Sequence, residues 1–153
     1  MRTTGLLKMG LFLSMSGIAC GSALADNCNG RFTNVGQSAD TLDLGNGHTL
    51  TNFLARGSTT SDNSAMNATG ACAGYVLTTP DGKMRLAFAC LRKNKDGDSF
   101  SDAGTMEPGA SRGNWTQTGG TGVFAGKNGS GGWWEVTMDD GKVSSGKWGG
   151  NCK

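Results

Sequence analysis

The residues that could do chemistry are few and scattered. His48 is the only histidine of the 153-residue chain. It follows Asn46-Gly47, a hairpin-turn signal, and no serine or cysteine partner is indicated. A turn residue is therefore the simpler reading than a general base. Asn94, Asp96 and Asp98 could offer oxygens to Ca²⁺, but the EF-hand spacing is not met and no bidentate glutamate follows. Glu135 with Asp139 or Asp140 could form a carboxylate pair, though flanking a turn they read as surface groups. Gly120-Thr121-Gly122-Val123-Phe124-Ala125 spells G-x-G-x-x-A. As a pyrophosphate cradle it needs a parallel βαβ unit, a helix at its third small residue and an acid about 20 residues on. Asp139 and Asp140 lie near that offset, but Asn128-Gly129-Ser130-Gly131-Gly132 ends any helix after one turn. Gly126-Lys127 lacks the upstream spacing and following Ser or Thr of a P-loop. No catalytic residue, metal site or cofactor is assigned, and the chain reads as a binding protein rather than an enzyme.

The cysteines carry a clearer message. Setting Cys20 aside, Cys28, Cys72, Cys90 and Cys152 remain, an even count that suggests two disulfides with three connectivities. Thr79-Pro80-Asp81-Gly82-Lys83 narrows them. Pro80 suits the first central position of a type I turn, and Gly82 can adopt the left-handed conformation that closes a three-residue loop. Thr79 then pairs with Lys83, Thr78 with Met84, Val76 with Leu86, Gly74 with Phe88, and Cys72 with Cys90. Directly opposed residues lie within disulfide reach. The shared face, Cys72 to Thr78 with Met84 to Cys90, is apolar, whereas Tyr75, Lys83 and Arg85 face the other way. With Cys72 joined to Cys90, Cys28 is left for Cys152, tying the first segment to the last.

The elements that must hold these residues are short and glycine-rich. Glycine makes up 27 of 153 residues and proline 2, against a usual glycine share of about 7%. Together with the lack of long helical periodicity, this suits the turns and bulges of a β-protein. Residues 1–25 read as a secretory signal peptide: Arg2 and Lys8, an apolar stretch around Leu11 to Ile18, and cleavage after Ala23-Leu24-Ala25. A lipid anchor at Cys20 is the minor alternative. Residues 26–153 form the single domain, secreted or periplasmic. Arg2 and Lys8 account for the whole formal charge of +2. The remainder is neutral, which removes the footprint of nucleic-acid binding, and no later run spans a membrane.

Asn46-Gly47 predicts a hairpin between "TLDLG" and "HTLTNF". Asp139-Asp140-Gly141 predicts another, with Trp134, Val136 and Met138 on one face. Residues 55–70 and 93–114 read as long polar loops, the second with a short strand around Phe100. Trp115 to Thr118 reads as a strand, followed by a corner at Gly119, Gly120, Gly122, Phe124 and Gly126 in which Val123 and Phe124 enter the core. Of Trp133 and Trp134, only one can face inward.

The segment "WTQTGGTGVFAGKNGSGGW" resembles the G-G-T-G-x-F…G corner of dirigent proteins and the allene oxide cyclase barrel. It is closer still to small secreted bacterial proteins with a W-x-x-x-G-G-T-G-x-[FY]-A-G segment. "KNKDGDSF" is similar to the D-x-D-G-D turn upstream in them. The resemblance covers roughly residues 70–152. It implies an antiparallel β-barrel of about eight strands. No position matches the catalytic residues of those relatives, so no activity is carried over.

The expectation is an all-β, disulfide-stapled antiparallel barrel that binds a small apolar ligand, lined from Val76, Leu86, Phe88 and among Trp115, Trp134 and Trp148. One alternative is an isomerase or cyclase, which needs a titratable pair facing the lumen. Another is a structural or inhibitory protein that meets a macromolecule, or a second copy, through an exposed tryptophan. The sequons at Asn67, Asn114 and Asn128 matter only in a eukaryotic host, and the signal peptide is bacterial in character.

Overall fold

The computed structural model describes residues 27–152; the signal peptide expected over residues 1–25, with Cys20, falls outside them. The described chain folds into a closed antiparallel barrel of eight strands in sequence order. These are β1 (Asn27–Gly45), β2 (His48–Ser61), β3 (Ala68–Thr78), β4 (Met84–Asn94), β5 (Ser99–Met106), β6 (Gly113–Gly120), β7 (Gly131–Asp139) and β8 (Val143–Asn151). β1 pairs with β8, so no edge is left open.

The turns do what their residues dictate. Asn46 and Gly47 have φ of 52° and 77°, the left-handed pair of a two-residue hairpin, and Gly45 pairs with His48. At the β3–β4 turn, Thr79 N–H donates to the Lys83 carbonyl at 2.9 Å and Gly82 N–H to the Thr79 carbonyl at 2.9 Å. The register that follows is the predicted one, from Thr78 opposite Met84 to Cys72 opposite Cys90. Cys72 and Cys90 are bonded, with Cα atoms 4.0 Å apart, and Cys28 is bonded to Cys152.

Four local expectations are corrected. Residues 55–70 are not one long loop: β2 runs to Ser61, a 3-10 turn covers Ser64–Met66, and β3 begins at Ala68. Within 93–114 lies all of β5, which hydrogen-bonds β4 on one side and β6 on the other. Both segments are poor in apolar residues, but closing the barrel demands a ladder partner for every backbone group, and that outweighs propensity. Met138 does not share a face with Trp134 and Val136, because a bulge intervenes between Val136 and Met138. Val123 is exposed, and only Phe124 of that corner is buried.

Much of the glycine serves the barrel wall as well as its turns. A Cβ at Gly30 would strike the Trp148 indole, at Gly113 the Trp134 indole, and at Gly146 the Phe32 ring. Each large ring therefore lies flat across a neighbouring strand where a side chain is missing. One end of the barrel is packed by Met66, Phe100, Phe124 and the Cys28–Cys152 bridge, with the Phe100 and Phe124 rings in tilted contact, their centroids 4.7 Å apart.

Candidate functional site

Above that floor the barrel holds a cavity of about 550 Å³, open at the end where the β1–β2 and β7–β8 hairpins rise. The volume lies within the range of small-molecule sites. All six residues expected from the sequence, Val76, Leu86, Phe88, Trp115, Trp134 and Trp148, line it. They arrive from five strands, β3, β4, β6, β7 and β8, because alternate residues of every strand face inward.

The tryptophans are held by their own polar edges. Trp115 Nε1 donates to the Gly149 carbonyl at 3.2 Å, Trp134 Nε1 to the Asn114 carbonyl at 3.1 Å, and Trp148 Nε1 to Thr59 Oγ1 at 2.8 Å. With these donors occupied, the indoles turn apolar surface to the cavity. Edge-to-face contacts, Trp115 on Trp148 at 5.7 Å and Phe88 on Trp134 at 5.4 Å, brace them. Trp133 is the outward one, half-buried, with the Arg112 guanidinium 4.4 Å over its ring.

A buried ion pair stands in this wall that the sequence reading missed. Arg92 of β4 and Asp102 of β5 are both buried and line the cavity. Arg92 Nε donates to Asp102 Oδ2 at 3.1 Å, and Arg92 Nη2 donates to Cys90 Sγ at 3.2 Å and Cys72 Sγ at 3.5 Å. Sulfur is a weak acceptor. Arg92 Nη1 is buried without a hydrogen-bond partner among the described residues, as is Asn34 Oδ1, from another cavity-lining residue. Burial raises the Asp102 pKa above its ordinary 3.8, and the neighbouring Arg92 charge counters this in part. The signal for Arg92 was within reach: the inward face of β4 runs Leu86, Phe88, Cys90, and two residues on is Arg92. Asp102 was hidden because its segment reads as a loop with only a short strand around Phe100, which leaves the pairing and inward face of β5 unset.

The other candidates are placed elsewhere. Asn94 Oδ1 accepts the Asp96 and Asp98 N–H groups, both at 3.0 Å, closing the β4–β5 turn. Glu135 pairs with Arg112 at 2.9 Å on the surface. Asp139, at the cavity mouth, accepts the Gly141 N–H at 2.9 Å, and Asp140 accepts the Lys142 and Val143 N–H groups at 2.9 and 2.7 Å. His48 is half-buried at the start of β2. The glycine corner opens no long helix: Gly119 and Gly120 end β6, and Gly122–Phe124 make one 3-10 turn leading towards antiparallel β7. Gly122 has φ of 56° and no room for a Cβ against the Asp98 carboxylate, which accepts the Val123 N–H at 3.2 Å. Gly126, with φ of 73°, follows it.

The fold and cavity define a closed eight-stranded barrel with a largely apolar interior and, among the described residues, one buried ion pair. No protein-family model matches the chain, and no curated protein matches it.

Proposed function

We propose that this barrel binds a small, mostly apolar molecule that carries one hydrogen-bond-accepting group. The observation that carries the reading is Arg92 Nη1, a buried donor without a partner among the described residues, on a side chain that lines an aromatic cavity. A buried donor left unmade costs about 1–3 kcal/mol, and a carbonyl, hydroxyl or carboxylate oxygen of a ligand would recover it. The rings of Phe32, Phe53, Phe88 and Trp134 supply the apolar wall for the rest of the molecule. The two disulfides fit an extracellular or periplasmic setting, in keeping with the signal peptide expected from the sequence. No helix among the described residues is long and apolar enough to cross a membrane.

Native mass spectrometry of the oxidised protein from its own host tests this, paired with titration of a medium-chain fatty acid and the matching alkane. A co-purifying small molecule, or tighter binding of the acid than the alkane, supports the reading. An adduct-free protein that binds neither overturns it and moves weight to a surface role.

A second reading is favoured by the ion pair itself: isomerase- or cyclase-type chemistry, with Asp102 exchanging a proton with the ligand and Arg92 stabilising developing negative charge on oxygen. The raised proton affinity of Asp102 supports it. Once a ligand is known, Asp102→Asn should abolish turnover while leaving binding largely intact. Unchanged turnover removes this reading.

A further inference from the structure

We propose that the Cys72–Cys90 bridge is a thiol-reactive centre in the cavity wall, opened at Cys72 by a small thiol to give a mixed disulfide. Strand register sets Ala55 opposite Cys72, Cys72 opposite Cys90 and Cys90 opposite Asp102, one row across four strands of the inner face. All four residues line the cavity, so a molecule that enters meets the bridge. At the Cys72 end of the row the neighbour is the small methyl of Ala55. At the Cys90 end it is the Asp102 carboxyl, which obstructs and repels an incoming thiolate. Attack along the row is therefore directed onto Cys72.

The step is thiol–disulfide exchange and balances by itself. The thiolate sulfur bonds to Cys72 Sγ, the electron pair of the bridge passes to Cys90 Sγ, and Cys90 leaves as a thiolate. A cation stands where that charge appears: Arg92 Nη2 is 3.2 Å from Cys90 Sγ. A neighbouring guanidinium lowers a thiol's pKa, and a lower-pKa thiol leaves faster. The protein carries its own reference in the Cys28–Cys152 bridge. That bridge is packed in the floor, where Cys28 Sγ sits 3.6 Å from the Gly150 carbonyl oxygen and no guanidinium among the described residues donates to it.

The folded, oxidised protein is incubated with 2-mercaptoethanol at neutral pH, quenched with N-ethylmaleimide and mapped by peptide mass spectrometry. The expected result is a mercaptoethanol adduct on Cys72, maleimide on Cys90, and an intact Cys28–Cys152 bridge. Arg92→Gln should slow the opening roughly tenfold, with Arg92→Lys retaining most of the rate. No adduct, an adduct on Cys90, or both bridges opening at one rate overturns the proposal, as does an unchanged rate in Arg92→Gln. Should Arg92→Gln fail to fold, the adducted cysteine and the ratio of the two opening rates in the natural protein decide it.

Discussion

Arg92 and Asp102 meet at 3.1 Å on adjacent strands inside the barrel, with less than a tenth of either side chain exposed. Breaking such a pair on one side leaves a bare buried charge. Arg92→Met should therefore lower stability by about 3–5 kcal/mol at neutral pH, and a double change that also makes Asp102→Leu should recover most of it. Urea denaturation of the two variants checks this. Equal instability of the double variant would place the cost in packing rather than in charge.

The same pair predicts a pH dependence. Asp102 has a raised pKa in the folded state. Its contribution to stability is complete below the ordinary 3.8 and is lost as pH rises through the folded value. Arg92 opposes that loss, so Arg92→Met should be more destabilising at pH 7 than at pH 4. Denaturation midpoints at the two pH values give the sign directly.

Asp140 works in the opposite sense. Its pKa is lowered, first by the Val143 backbone N–H and then by that of Lys142. The stabilisation is present above the ordinary 3.8 and is lost as pH falls through the lower folded value. Asp140→Ala should lower the thermal midpoint at pH 7, and the difference from the natural protein should shrink as pH falls below 3.8. A difference that persists in acid would contradict the capping role.

Gly113→Val puts a branched side chain into the space filled by the Trp134 indole. Overpacking of this kind costs about 1–3 kcal/mol. The displaced indole would also lose its bond to the Asn114 carbonyl. A red-shifted tryptophan emission together with a lower denaturation midpoint is expected.

The two bridges should contribute unequally to equilibrium stability. Their sequence separations are 124 for Cys28–Cys152 and 18 for Cys72–Cys90. In the chain-entropy picture, replacing the first pair by alanine costs about 5 kcal/mol and the second about 3 kcal/mol. Parallel guanidinium titrations of the two double-alanine variants test the order.

How much of this was legible varies along the chain. The β3–β4 hairpin was readable in full, because Pro80 and Gly82 set the loop length and loop length sets register. That register brought Cys72 to Cys90 and turned Val76, Leu86 and Phe88 inward. Beyond it, local signals weaken. β5 carries Phe100 among small and polar residues, "SFSDAGTM"; that composition marks a short strand around Phe100 but neither its full length nor its place between two others. The bulge at Thr137 is equally silent in sequence, yet it separates Met138 from the face of Trp134.

The sequence alone determined the turns, one disulfide register, the inward apolar face of β3 and β4, and the disqualification of the glycine run as a nucleotide cradle. These depend on backbone chemistry within a few residues. Tertiary structure decided what no local pattern encodes: which strands adjoin, and so that Arg92 and Asp102 share a wall and that Trp148 lies across Gly30. It also decided that packing at one end stops short of the other and leaves a cavity. The physical reason is that an eight-stranded barrel satisfies its backbone only when closed, and closure fixes neighbours through hydrogen bonds between residues far apart in the chain.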